Sequence, residues 1–146
     1  MKSKGLYLGV LISLMLLVLF SLGGGIWGAQ STIGHWTGDL FRGICHQNPL
    51  RSFHLDGVQM AVNSRCFGVF IGLLCGWLAI PAFIRMGIKK NPFLWYLLFA
   101  VVAQIIDFSG NLIQLWENSN ESRVLLGWFL GFTATASVFD LFTNNN

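Results

Sequence analysis

Four apolar runs, each near or above the ~18 residues a helix needs to cross ~30 Å of hydrocarbon, set the limits on what this chain can fold into. They occupy residues 6–27, 67–84, 92–116 and 124–142. Only 10% of the 146 residues are charged, against about 25% in soluble domains, so charge cannot cover a globular surface. The pattern predicts an all-α membrane protein: a compact bundle of four transmembrane helices with a structured outer loop between the first two, forming one integral membrane domain over 1–146. The first run follows Lys2 and Lys4, as a signal peptide would. It is longer than the usual ~7–15-residue apolar core, however, and Trp27-Gly28-Ala29 is a poor cleavage site, so it reads as a retained helix.

The lipid bilayer is the partner that follows from this composition. Six tryptophans and thirteen phenylalanines suit a chain whose tryptophans sit at the membrane–water boundary. The nine cations are scattered rather than striped, and the net charge is +3, which argues against a nucleic-acid partner. Lys2, Lys4, Arg85, Lys89 and Lys90 fall on one side of a four-span topology and Arg42, Arg51, Arg65 and Arg123 on the other. That bias predicts a multi-pass protein of the cell membrane with both termini cytoplasmic. The loop containing Cys45 and His46 then lies outside, where disulfides are permitted.

That loop, residues 28–65, is the one long segment between spans. Thr37 is placed to cap a short interfacial helix over 38–46, with Asp39 in its first turn and Leu40, Phe41 and Ile44 on an apolar side. Pro49 stops the run. Asp56-Gly57 between alternating apolar residues predicts a hairpin, with Leu55 opposite Val58, Phe53 opposite Met60, and His54 opposite Gln59. In the second span Gly68, Gly72 and Gly76 recur every four residues, as do Gly127, Gly131 and Thr135 in the fourth. Small residues at this period let helix backbones approach closely in lipid. In the third span Gln104, Asp107, Asn111 and Gln114 share one helix face, which should turn inward, with Arg123 as candidate counter-ion for Asp107.

Cys45, His46, Gln47, Arg51 and Ser52, then Arg65 and Cys66 at the mouth of the second span, concentrate the reactive groups. Three chemistries fit them. Thiolate and imidazole from Cys45, His46, Cys66 and His54 suit zinc, copper or iron, although adjacent residues such as Cys45 and His46 point apart on a helix. Cys45 and Cys66 are placed for a disulfide closing about 20 residues and worth ~3 kcal/mol, with Cys75 left over, or for a redox-active thiol pair. Arg51, Arg65 and Arg123, with Ser52 and Gln47, suit an anionic lipid headgroup. A fourth reading takes the Asp107 and Asn111 stripe as a proton or ion relay, which in so small a bundle would call for a homo-oligomer. The favoured expectation is a binding or accessory protein with a polar cluster at one membrane face. No phosphate loop, zincin motif or c-type haem motif is present.

The motif Cys45-His46-Gln47-Asn48-Pro49-Leu50-Arg51-Ser52, followed by Arg65-Cys66-Phe67-Gly68 and Gly72, resembles a family of small predicted prokaryotic membrane proteins known only as a domain of unknown function. The resemblance covers about residues 38–131. Asp107, Asn120-Glu121-Ser122-Arg123 and Gly127 are similar to a weaker third motif. Where that family tends to carry a further cysteine three residues before the last, this chain has Asn63. The resemblance implies membrane location and a role for these residues, and supplies no activity.

Overall fold

The structure is a computed structural model that describes residues 4–28, 30–88 and 91–138. Its elements are α1 (Lys4–Ser21), α2 (Gly24–Trp27), α3 (Thr32–Arg42), a two-stranded antiparallel sheet of β1 (His54–Leu55) and β2 (Val58–Gln59), then α4 (Ser64–Met86), α5 (Asn91–Leu112) and α6 (Asn120–Ser137). Among the described residues, three helices are long and apolar enough to cross a membrane: Lys4–Ser21, Ser64–Met86 and Pro92–Leu112. The expected cytoplasmic anchors Lys2, Lys89 and Lys90, and the expected end of the fourth run at 142, lie outside the described residues.

The first run does not stay helical to residue 27. Gly23 adopts φ +57°, a left-handed conformation open to glycine, and α1 ends two residues earlier at Ser21. A side chain at Gly23 would strike the backbone of Ala61, 2.8 Å away, and the Ser21 carbonyl accepts from the Ala61 N–H at 3.1 Å. The end of α1 is thereby tied to the segment entering α4. The third run likewise stops short of 116. Gln114 has φ +59°, Leu115 N–H returns to the Gly110 carbonyl at 2.9 Å, and the Trp116 ring lies over Gly110.

The loop helix begins earlier than its sequence suggests. Ser31, not Thr37, caps it: the Ser31 hydroxyl accepts from Gly34 N–H at 2.9 Å, and the helix ends at Arg42 rather than 46. Thr37 sits inside instead, fully buried with Phe41, and its hydroxyl donates to the Gly34 carbonyl. Ile33, Trp36 and Leu40 form the exposed apolar side. The hairpin has the expected register, His54 against Gln59 and Leu55 against Val58, turning on Asp56 and Gly57 with φ of 49° and 79°.

Helices α4 and α6 run parallel with their glycine faces together. A Cβ at Gly68 would overlap Val124, one at Gly72 would overlap Trp128, and on the other helix Gly127 and Gly131 lie on Arg65 and Val69. Thr135 donates across the seam to the Leu73 carbonyl at 3.2 Å. Helix α5 returns antiparallel and packs on α6. Helix α1 packs antiparallel on α4 through an interlocked pair. Pro81 inside α4 cannot donate to the Trp77 carbonyl, and the Tyr7 hydroxyl takes that acceptor at 3.3 Å. Trp77 Nε1 donates back to the Tyr7 carbonyl at 3.1 Å, with the rings stacked 5.6 Å apart. Tyr7→Phe is therefore expected to lower thermal stability in detergent by about 1–3 kcal/mol. An unchanged melt would show that this carbonyl needs no partner.

Candidate functional site

Antiparallel α1, α4 and α5, with α6 parallel to α4, bring the 22–63 segment and the 113–119 turn to one end of the bundle. There the polar motif divides into residues that build the end wall and residues that line a cavity. Gln47, held at φ +47°, donates from Nε2 to the Gly38 carbonyl at 2.5 Å and the Ala61 carbonyl at 2.9 Å, joining α3 to the segment leading into α4. Gln59 Nε2 donates to the Gln47 carbonyl at 2.7 Å. Asn48 caps a 3-10 turn over Pro49–Arg51. Ser52, buried, shares its one hydroxyl proton between the Asn48 carbonyl at 2.9 Å and Asn63 Oδ1 at 3.0 Å, while Ser64 donates to the Arg51 carbonyl at 3.0 Å. These bonds satisfy backbone groups that would otherwise be orphaned at depth.

The cysteines belong to the same wall. Cys45 is 5% exposed and packs with Phe41, Ala61 and Val62. Its sulfur accepts the Asn63 N–H at 3.1 Å, just ahead of α4. Cys66 lies against it, and all three cysteines, Cys75 included, are free thiols. The expected Cys45–Cys66 disulfide is thus not formed here. The expected metal set does not converge either. Cys45 points into the core, His46 outward into the cavity, and His54 sits exposed on the hairpin. Among the described residues, no three His, Cys, Asp or Glu side chains come together to hold a metal ion.

The cavity, about 200 Å³, is lined by His46, Arg51, Asn63, Arg65, Cys66, Phe108, Asn111 and Arg123. Asp107 pairs with Arg65 through Nη2 and also accepts from Asn118 Nδ2 at 2.7 Å. The counter-ion of Asp107 is accordingly Arg65, at the start of α4, and not Arg123, whose Nη1 donates to Asn120 Oδ1 at 3.3 Å. Burial, followed by the neighbouring Arg51 and Arg65 charges, pushes the Arg123 guanidinium below the usual arginine range, while Asp107 opposes them. Arginine stays protonated all the same, so three guanidiniums face one carboxylate. Arg65 Nε is buried with no partner. Asn118, which fixes the carboxylate, carried no signal in the sequence beyond being an asparagine in a turn.

Residues 45–137 match a family model described as a predicted membrane protein (DUF2085). The chain is also 39% identical over 99 residues to an uncharacterised protein of Methanocaldococcus jannaschii. That alignment covers 68% of this chain and 64% of the relative. No solved structure matches.

Proposed function

From the premise that this chain belongs to the DUF2085 family of predicted membrane proteins, we propose that it is a membrane binding protein whose cavity receives a phosphate-type anion. One observation carries this reading. Among the described residues, Arg51, Arg65 and Arg123 line one cavity that no carboxylate lines, and Asp107 beside it is already used by Arg65 and Asn118. Guanidinium forks suit phosphate oxygens, and three guanidiniums against one carboxylate leave an excess of positive charge that an anion would offset. The matched segment, 45–137, contains every lining residue of the cavity.

The reading takes α6 as a fourth span from Val124 onward, the whole chain as one integral membrane unit, and the cavity on the outer face with both termini cytoplasmic. The α6 glycine face packed along α4 supports the fourth span, because a helix matched to a span over several turns shares its depth. A mouth at that depth meets the layer of lipid headgroups. The same chemistry would also accept free phosphate.

Isothermal titration in an uncharged detergent, with inorganic phosphate and glycerol 3-phosphate, tests the proposal. Both should bind, more weakly as salt rises. The Arg51→Gln/Arg123→Gln double variant should lose affinity by roughly a hundredfold, two charge-assisted contacts at about tenfold each. No heat from either ligand, or equal binding by the double variant, would end this reading.

A further inference from the structure

We infer that the cavity selects a phosphate end group, the doubly charged terminus of free phosphate or of a phosphomonoester, over the singly charged phosphodiester of ordinary membrane lipids. The inference rests on the phosphate reading above and adds the class of phosphate. Its first support is the balance of charge. Arg51, Arg65 and Arg123 line the cavity, and Asp107, paired with Arg65, lies beside it. Three guanidiniums against one carboxylate leave two positive charges unmatched. Among the described residues no further acid joins them, since Glu117 and Glu121, the next acids along the chain, do not line the cavity. His46, exposed at the mouth, adds a charge only when protonated. A dianion matches what is left, whereas a monoanion leaves one guanidinium without an opposite charge.

The second support is the number of oxygens. A phosphate end group offers three strong acceptor oxygens, and a diester keeps only two that are not esterified. The donors come from separate elements: Arg51 ends the 3-10 turn, Arg65 stands in the first turn of α4 and Arg123 in the first turn of α6. Each fork can take one oxygen of an end group. With a diester, one fork would meet an ester oxygen or its substituent, both poorer acceptors. Asn63 adds a neutral donor. Its Oδ1 accepts from the Ser52 hydroxyl at 3.0 Å, which leaves its Nδ2 for the cavity that the residue lines. Size agrees with both counts. The cavity, about 200 Å³, is smaller than the about 300–1,000 Å³ of sites for drug-sized molecules, and suits a compact anion with one substituent at most.

The full chain in uncharged detergent would be titrated at pH 8 with methyl phosphate and with dimethyl phosphate, which differ by one charge and one acceptor oxygen. That pH lies above the range in which histidine and phosphomonoesters ordinarily take up a proton. Methyl phosphate should bind at least about tenfold more tightly, the worth of one charge-assisted contact. Equal affinities would overturn the inference and leave the phosphate reading standing, and no binding of either would end both. Arg51→Gln removes an exposed side chain at the mouth and should bring the two affinities together. Asn63→Asp keeps the acceptor for Ser52 and turns the donor into a carboxylate oxygen. It should weaken methyl phosphate by at least about tenfold and dimethyl phosphate by less, while the ligand-free protein melts no lower than the wild type because the new charge faces three guanidiniums. A preference for methyl phosphate that neither variant alters would overturn the assignment to these residues. Glycerol 3-phosphate and dioctanoyl phosphatidic acid distinguish a ligand from water from one in the bilayer, and tighter binding of either one fits the inference. Dioctanoyl phosphatidylglycerol, a diester, should bind more weakly than the phosphatidic acid, and the reverse order would overturn it.

Discussion

Gly72→Leu is expected to prevent α4 and α6 from pairing, leaving no cooperative thermal transition in detergent. At this position a Cβ would overlap the Trp128 carbonyl oxygen and approach Phe132 N at 2.9 Å. Both obstacles are backbone in the middle of a helix, so neither can turn aside as a side chain would. Overpacking in ordinary cores costs about 1–3 kcal/mol because neighbours yield, and here the whole helix must move, separating Gly68 and Gly131 from their contacts as well. The effect should be graded. Gly72→Ala should be worse than Gly76→Ala, whose nearest obstacles are the Phe132 carbonyl oxygen at 2.8 Å and the Thr135 Cβ at 2.9 Å. Gly9→Ala, with nothing within 4 Å, should be neutral or stabilising by up to about 1 kcal/mol. Circular dichroism melts of the three alanine variants decide the matter, and wild-type stability in Gly72→Ala would mean that the close seam is not what joins the helices.

Asp107→Asn is expected to destabilise the protein by about 3 kcal/mol, because it leaves the Arg65 guanidinium facing Arg51 and Arg123 with its carboxylate gone. The Arg65 and Asp107 side chains are 27% and 13% exposed, so water shields the loss only in part. The asparagine keeps the size and can still meet Asn118, which confines the change to charge. Inorganic phosphate should then recover stability in the variant beyond its effect on the wild type, about 2.7 kcal/mol at a hundredfold excess over its dissociation constant. Melting curves with and without phosphate, read against sodium chloride at equal ionic strength, check this. A variant that melts with the wild type would show that the ion pair contributes nothing net. A destabilised variant indifferent to phosphate would show that the anion does not take the place of the carboxylate.

The parts of this molecule legible in its sequence are those governed by local rules. Asp56-Gly57 requires left-handed backbone at both positions, and the hairpin register follows. Runs of apolar residues announce helices whatever their neighbours are. Helix ends were less legible. The stop at Ser21 depends on Ala61 coming within reach of Gly23, and the stop after Leu112 on Trp116 folding over Gly110, both tertiary events that a run of apolar residues does not encode. The motif around Cys45 reads as chemistry in the sequence because thiol, imidazole and guanidinium types are reactive. In the structure Cys45, Gln47, Asn48 and Ser52 serve backbone amides and carbonyls, a role that depends on which groups lie opposite. Arg65 rather than Arg123 holds Asp107 because the first turn of α4 faces α5, a relation set by helix rotation and invisible in spacing. Asn118 shows the same limit, since its importance comes wholly from the carboxylate it meets.

The parallel pairing of α4 and α6 has a consequence for biosynthesis. Helices that run the same way cannot be neighbours in sequence without a crossing between them, so α4 must wait while α5 and then α6 are made. At about 5–20 residues per second, the ~60 residues separating Arg65 from Arg123 take several seconds to emerge. Throughout that interval the glycine groove of α4 is uncovered, and until α5 arrives Arg65 has no carboxylate. The cavity acquires its last wall, Arg123, only when α6 docks. The cavity is therefore complete only once α6 has docked, and a truncation that removes Arg123 would leave it open.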